Sequence, residues 1–237
     1  MRIILILIIQ SACILSVWSQ KADSLLYVQI DFANRWVWRG VRNSEVPTVF
    51  PIFGYKSEKI NLSIHGAYPF QPGAYSEINF TFEYQCLPLM KLGITDYFAI
   101  NDSLGAKHRF FDMNRESTRH MFDFYTIIAP FESVPISFTY SIWVWGEDRD
   151  EVTLKQRLSQ YLEVRYDKAI GRYTASAFAG FTPARGYYAS GPAIVNSGVG
   201  LTREFKISEQ LNMPLKIEFV LNPEMKNAYL NAIISFK

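Results

Sequence analysis

The chain has 237 residues, 49% of them hydrophobic and 16% aromatic, but only 19% charged. A formal net charge of +2, with Lys and Arg scattered along the chain, points to neither nucleic acid nor anionic lipid as a partner held by bulk charge. Soluble domains average about 25% charged residues, so an aromatic excess with a charge deficit suits an outer surface that meets lipid, where Tyr and Trp gather at the interfaces.

The first segment reads as a secretory signal peptide over residues 1–19. Met1-Arg2 is a positive start, Ile3 to Ile9 is unbroken aliphatic, and Val17-Trp18-Ser19 precedes a cut ahead of Gln20. The apolar stretch is shorter than the roughly 18 to 20 residues of a spanning helix. Ser11-Ala12-Cys13 resembles the end of a lipobox, but Gln10 stands where an aliphatic residue belongs, so Cys13 reads as a small residue of the signal core. Cleavage leaves Cys86 alone and excludes an intrachain disulfide.

From residue 20 to 237 no linker or low-complexity stretch divides the chain, and apolar and polar residues alternate with period 2. The clearest case is Tyr75 to Cys86, where Ile78, Phe80, Phe82 and Tyr84 oppose Glu77, Asn79, Thr81 and Glu83. Strands are expected near 25–38, 47–56, 60–68, 75–86, 89–99, 120–129, 135–146, 157–167, 171–182, 194–206, 214–222 and 227–236, each near the 9 to 11 residues of a tilted membrane strand. Short turns alternate with longer loops. The expected fold is therefore all-β: a single closed, antiparallel, up-and-down transmembrane β-barrel of about twelve strands.

Periodicity alone does not say which face points outward, and a soluble secreted carrier would put its apolar face inside around an apolar ligand. The polar face here is mostly Asn, Gln, Ser and Thr, as in a confined wet lumen, and aromatics gather towards strand ends, among them Trp36, Trp38, Tyr75, Tyr97 and Trp143. The last strand, with Ala228, Leu230, Ala232, Ile234 and Phe236 on one face, resembles the terminal strand by which bacterial outer-membrane barrels are recognised for assembly. It departs from that pattern in ending on Lys237 rather than on the aromatic. The resemblance implies outer-membrane lipid and the outer-membrane assembly machinery as partners and the bacterial outer membrane as location.

The run Asn34-Arg35-Trp36-Val37-Trp38-Arg39-Gly40-Val41, followed by Ser44 and Pro47, resembles the opening hairpin of a bacterial family often labelled Gcw_chp. The likeness covers about 25 residues and implies fold and location without a reaction. If the first strand continues through this run, Asp31, Arg35 and Arg39 fall on the lumen face, while Trp36 and Trp38 fall at the lipid interface. Gly40 is read as a turn residue.

The expected function is a porin-like channel passing or binding small polar solutes through a narrow lumen. Its selectivity candidates are Asp31, Arg35, Arg39, His65, Glu77, Glu83, Glu163, Arg165 and Glu218. In the long connection from Ile100 to Arg119, Phe110 and Phe111 are expected to tuck over the outer mouth. The enzymatic alternative is an outer-membrane lipid hydrolase using Ser63 and His65, two apart on one strand face with Cβ atoms about 6.6 Å apart. No orienting group for that pair is evident, and outer-membrane lipid hydrolases carry His-x-Ser directed at lipid, the reverse order on the opposite face. With only His65, His108 and His120, no ligand spacing for a metal exists, and no cofactor is expected.

Overall fold

The computed structural model describes residues 25–101, 109–131, 133–150, 152–209 and 211–237. The signal peptide and Cys13, together with Asp102, Lys107 and His108 of the long connection, lie outside the described residues. The fold is all-β. Its strands are β1 (Leu26–Ala33), β2 (Trp36–Trp38), β3 (Val41–Ser44), β4 (Thr48–Lys56), β5 (Ile60–Pro69), β6 (Tyr75–Leu87), β7 (Met90–Asn101), β8 (His120–Ile128), β9 (Ile136–Gly146), β10 (Gln160–Ile170), β11 (Tyr173–Thr182), β12 (Ala193–Lys206), β13 (Asn212–Asn222) and β14 (Asn227–Phe236).

Twelve of them, β1 and β4 to β14, form a closed antiparallel barrel in sequence order, and β2 and β3 form a separate two-stranded hairpin. Closure is made by β1 against β14, with Ile30 opposite Phe236, Asp31 opposite Ser235 and Phe32 opposite Ile234. Every strand of the barrel therefore has two neighbours. Phe32 and Phe236 meet edge to face across the seam with ring centroids 6.1 Å apart.

The alternation is realised with the apolar face outward. Val28 is 65% exposed, Leu26 and Leu230 are each 60% exposed, and Phe53, Phe82, Phe138 and Tyr140 also point out. Side chains of the opposite parity, such as Thr48, Thr95, Asp123, Ser141 and Asn222, are buried inside. A soluble carrier would show the reverse, so the arrangement has an apolar outer belt around a polar interior. The expected first strand 25–38 is corrected: the barrel strand stops at Ala33, and residues 36–38 belong to the hairpin.

Candidate functional site, a lumen divided by an infolded hairpin

The chain leaves the wall at Asn34. Its backbone N–H donates to Ala232 O at 3.1 Å, its Oδ1 accepts from Ala232 N at 2.8 Å, and its Nδ2 donates to Leu230 O at 3.2 Å. Asn34 thus satisfies backbone groups of β14 ahead of Ile233, where β1 no longer pairs with it. The following residues turn into the barrel at the end where the longer loops lie.

Inside, Trp38 pairs with Val41, leaving Arg39 and Gly40 as a two-residue hairpin turn. Both have positive φ, 49° and 77°, the combination of a type I′ turn. A Cβ on Gly40 would lie 1.9 Å from Val195 O, so the turn rests directly on the backbone of β12. Asn222 of β13 donates to Gly40 O at 3.0 Å. Arg39 takes a left-handed conformation that costs a non-glycine residue about 1 kcal/mol or more, and its side chain makes contacts that offset this.

Those contacts join the turn to the facing wall. Arg39 Nη2 donates to Asp123 Oδ2 of β8 at 3.0 Å, and Nη1 donates to Ser141 Oγ of β9 at 2.8 Å and to Tyr188 Oη at 2.7 Å. The guanidinium also lies over the rings of Trp38 and Tyr161, 4.4 and 4.8 Å from their centroids. Burial works against the charge of Arg39, but Tyr188 and Asp123 outweigh it and hold its pKa above the ordinary value. Burial raises the Tyr188 hydroxyl, with Arg39 opposing. Neighbouring Tyr187 is pushed up to about 12 by burial and by the carboxylates of Glu77 and Glu147.

Trp36 and Trp38 are corrected by the structure: they lie in the lumen, not at the lipid interface. Trp36 is 6% exposed, stacked on Tyr75 at 5.6 Å and edge-on to Phe50 at 5.9 Å. Trp38 stacks on Trp143 at 6.1 Å and touches Tyr97 and Tyr188. The cause is the departure at Asn34, after which the two-residue period no longer refers to the wall. Tyr75, Tyr97 and Trp143, expected with the interfacial aromatics, also face inward. Trp143, Tyr161, Tyr188 and Val195 form a buried apolar cluster against which Trp38 and Val41 pack.

The hairpin divides the interior. On one side lies a cavity of about 1100 Å³ bordered by Asp31, His65, Glu77 and Glu83, and on the other a cavity of about 260 Å³ bordered by Glu163, Arg165, Lys216 and Glu218. Trp38, Arg39 and Thr139 border both. In the larger one, Asp31 accepts from Gln29 Nε2 at 2.8 Å, and Glu77 accepts from the Tyr75 hydroxyl and from Asn79 Nδ2. Glu83 accepts from Asn61, from the Tyr125 hydroxyl and from Lys91. In the smaller one, Arg165 Nε lies 3.1 Å from Glu163, and Lys216 Nζ lies 3.2 Å from Glu218. Opposite charges thus pair on that wall, whereas the larger cavity keeps carboxylates answered mainly by neutral donors. Arg35, a further lumen candidate, sits half-buried at the bend.

Ser63 and His65 both border the larger cavity, on β5. No hydrogen bond joins them among the described residues. The sequence does not single out Asp123, Ser141 or Tyr188, the three partners of Arg39. Their one signal is strand parity, which places Asp123 and Ser141 on polar faces.

Phe110 and Phe111 are likewise corrected. They do not cap the mouth; Phe110 packs on Phe80 and Phe98 of the outer wall at 5.7 and 5.0 Å, and Phe111 is 89% exposed beside it. The outer wall is apolar there, so it accepts a ring as readily as the mouth would.

No family model matches the chain, and no curated protein sequence matches it. Among solved structures it is similar to a KdgM porin, with a TM-score of 0.50 and 7% identity over 88% of this chain and 96% of that one. A triple mutant of the Rhodopseudomonas blastica porin aligns at a TM-score of 0.35 and 9% identity over 80% of this chain and 54% of that one. The likeness to the KdgM porin is one of fold.

Proposed function

We propose that the protein is a bacterial outer-membrane channel that passes or binds small polar solutes, its lumen narrowed by the hairpin of residues 34–47. The observation that carries it is the placement of Arg39 and Gly40 across the barrel interior: the hairpin touches β8, β9, β12 and β13 yet leaves beside it two cavities bordered by charged side chains. The apolar belt supports residence in lipid, since an outer wall bearing Leu26, Val28, Phe53 and Leu230 would be costly in water. The likeness of fold to a KdgM porin agrees with a pore, and the hairpin sequence keeps the resemblance to the Gcw_chp family as part of the proposal. A signal peptide over residues 1–19 and assembly through β14 complete it.

Liposome swelling tests the channel. Proteoliposomes should admit small neutral solutes and exclude larger ones with a sharp size limit; vesicles that swell no faster than protein-free ones would remove the pore. In the same preparation Ser63→Ala and His65→Ala should leave phospholipid hydrolysis at background. Hydrolysis lost specifically in these variants would establish the enzymatic alternative instead.

A further inference from the structure

Pairing of Asn79 with Tyr97, Tyr97 with Met121 and Thr95 with Asp123 puts the odd positions of β7 and β8 inside. The even positions Asp96, Phe98, His120 and Phe122 therefore lie on the outer wall. A carboxylate on that face is out of place beside hydrocarbon unless it is paired and covered. Asp96 is both: its Oδ2 lies 2.8 Å from His120 Nδ1, and His120 is completely buried. The cover is the segment after residue 108. His120 Nε2 donates to Phe110 O at 2.5 Å, and the Phe110 ring lies 5.1 Å from the imidazole.

This segment is a built structure laid on the outside of the barrel. Asp112 accepts from Asn114 N at 3.0 Å and from Ser117 Oγ at 2.8 Å, and Asn114 Oδ1 accepts from Glu116 N at 3.0 Å. Arg149 donates to Arg115 O at 3.0 Å and to Thr118 O at 3.1 Å. So fixed a scaffold nevertheless turns Phe111 and Met113 outward, 89% and 54% exposed, between the exposed side chains of Arg109 and Arg115. In water that arrangement would leave apolar surface uncovered at the tip of an ordered segment. At the upper rim of an apolar belt it matches a membrane interface, with apolar side chains among acyl chains and guanidinium groups at the phosphate level.

We propose that residues 109–119 form a lipid clasp: Phe111 and Met113 enter the outer leaflet beside the barrel while Arg109 and Arg115 hold lipid phosphate, with Asp96 and His120 as the anchor on the wall. The inference rests on the outer-membrane assignment above.

Its test uses the full chain in a Cys13→Ser/Cys86→Ser background, carrying a fluorophore on Phe111→Cys or, as a reference on the opposite seam, on Leu230→Cys. The protein is inserted in phosphatidylcholine vesicles containing a minority of phosphatidylglycerol with brominated chains. Both labels should be quenched by the brominated lipid and shielded from aqueous iodide. Arg109→Gln with Arg115→Gln should lower quenching at position 111 at least twofold and leave position 230 unchanged. A label at 111 that iodide reaches and brominated lipid does not, while 230 behaves as buried in lipid, overturns the clasp alone. Iodide access at both positions overturns the clasp and the membrane assignment together. Equal quenching with and without the two arginines overturns the phosphate contact. If the Phe111 variant does not fold, the same readings from Met113→Cys decide.

Discussion

Arg39 Nη2 lies 3.0 Å from Asp123 Oδ2, and Asp123 is completely buried in the barrel wall. This pair joins the tip of an infolded loop to a strand far from it in sequence. Asp123 also accepts from Ser141 Oγ at 2.5 Å. Removing the arginine leaves a buried carboxylate with weaker partners, so Arg39→Ala should destabilise the protein by about 3 kcal/mol. Arg39→Met combined with Asp123→Asn should be milder than the sum of the single changes. Urea unfolding in detergent micelles measures the cycle, and additive single effects would show that the two groups do not act as a pair.

Gly40 tests the seat of the hairpin on β12. Its φ of 77°, and the 1.9 Å that would separate an added methyl carbon from Val195 O, leave no room for alanine. Gly40→Ala should cost about 1 to 3 kcal/mol and lift the turn away from the wall. Amide exchange at Val195 and Asn196 should then quicken, while exchange across the β1 and β14 seam stays slow. Unchanged exchange on β12 would mean that the turn does not rest there.

The larger cavity should favour cations. Asp31, Glu77 and Glu83 border it, and of these Glu83 has Lys91 at 3.4 Å while Asp31 and Glu77 accept from neutral groups. Reversal potentials across a salt gradient should show a cation preference that Asp31→Asn with Glu77→Gln diminishes. An anion preference in the native protein would shift selectivity to Arg42 or Arg149 at the same cavity.

The anchor of the long connection should be as sensitive as a buried pair. His120→Ala leaves Asp96 on an apolar wall without its partner and should lower stability by about 3 kcal/mol, whereas Asp96→Asn with His120→Gln should recover part of it. Thermal unfolding in micelles of Asp96→Asn, His120→Gln and the double variant gives the cycle; losses that simply add would show that the pair is not coupled.

The barrel was legible because a strand with two different environments must alternate. Glu77 against Ile78, or Thr139 against Phe138, carries that information locally and repeats it down the chain. The hairpin was not legible by the same rule. Trp36, Val37 and Trp38 continue the alternation of β1 after Asn34 has left the sheet, so parity assigned both tryptophans to the wrong side. The available signal was length: Leu26 to Trp38 runs 13 residues before the Arg39-Gly40 turn, more than the roughly 9 to 11 of a spanning strand. Phe110 was misplaced for a related reason. Asp96 is a charge between Ile94 and Phe98 on an otherwise apolar face, and such a residue requires a cover; its partner His120 stands 24 positions away, beyond the reach of any local pattern.

Constriction of an open barrel by the hairpin is tested most directly by single-channel conductance in a planar bilayer. The native chain should be compared with a variant in which residues 35–46 are replaced by a short Gly-Ser turn, after both show the same resistance of the folded barrel to detergent. A severalfold larger conductance is expected in the variant, with a weaker dependence on solute size, because the two cavities become one. Equal conductance in a correctly folded variant would contradict the constriction and place the limiting passage elsewhere in the lumen.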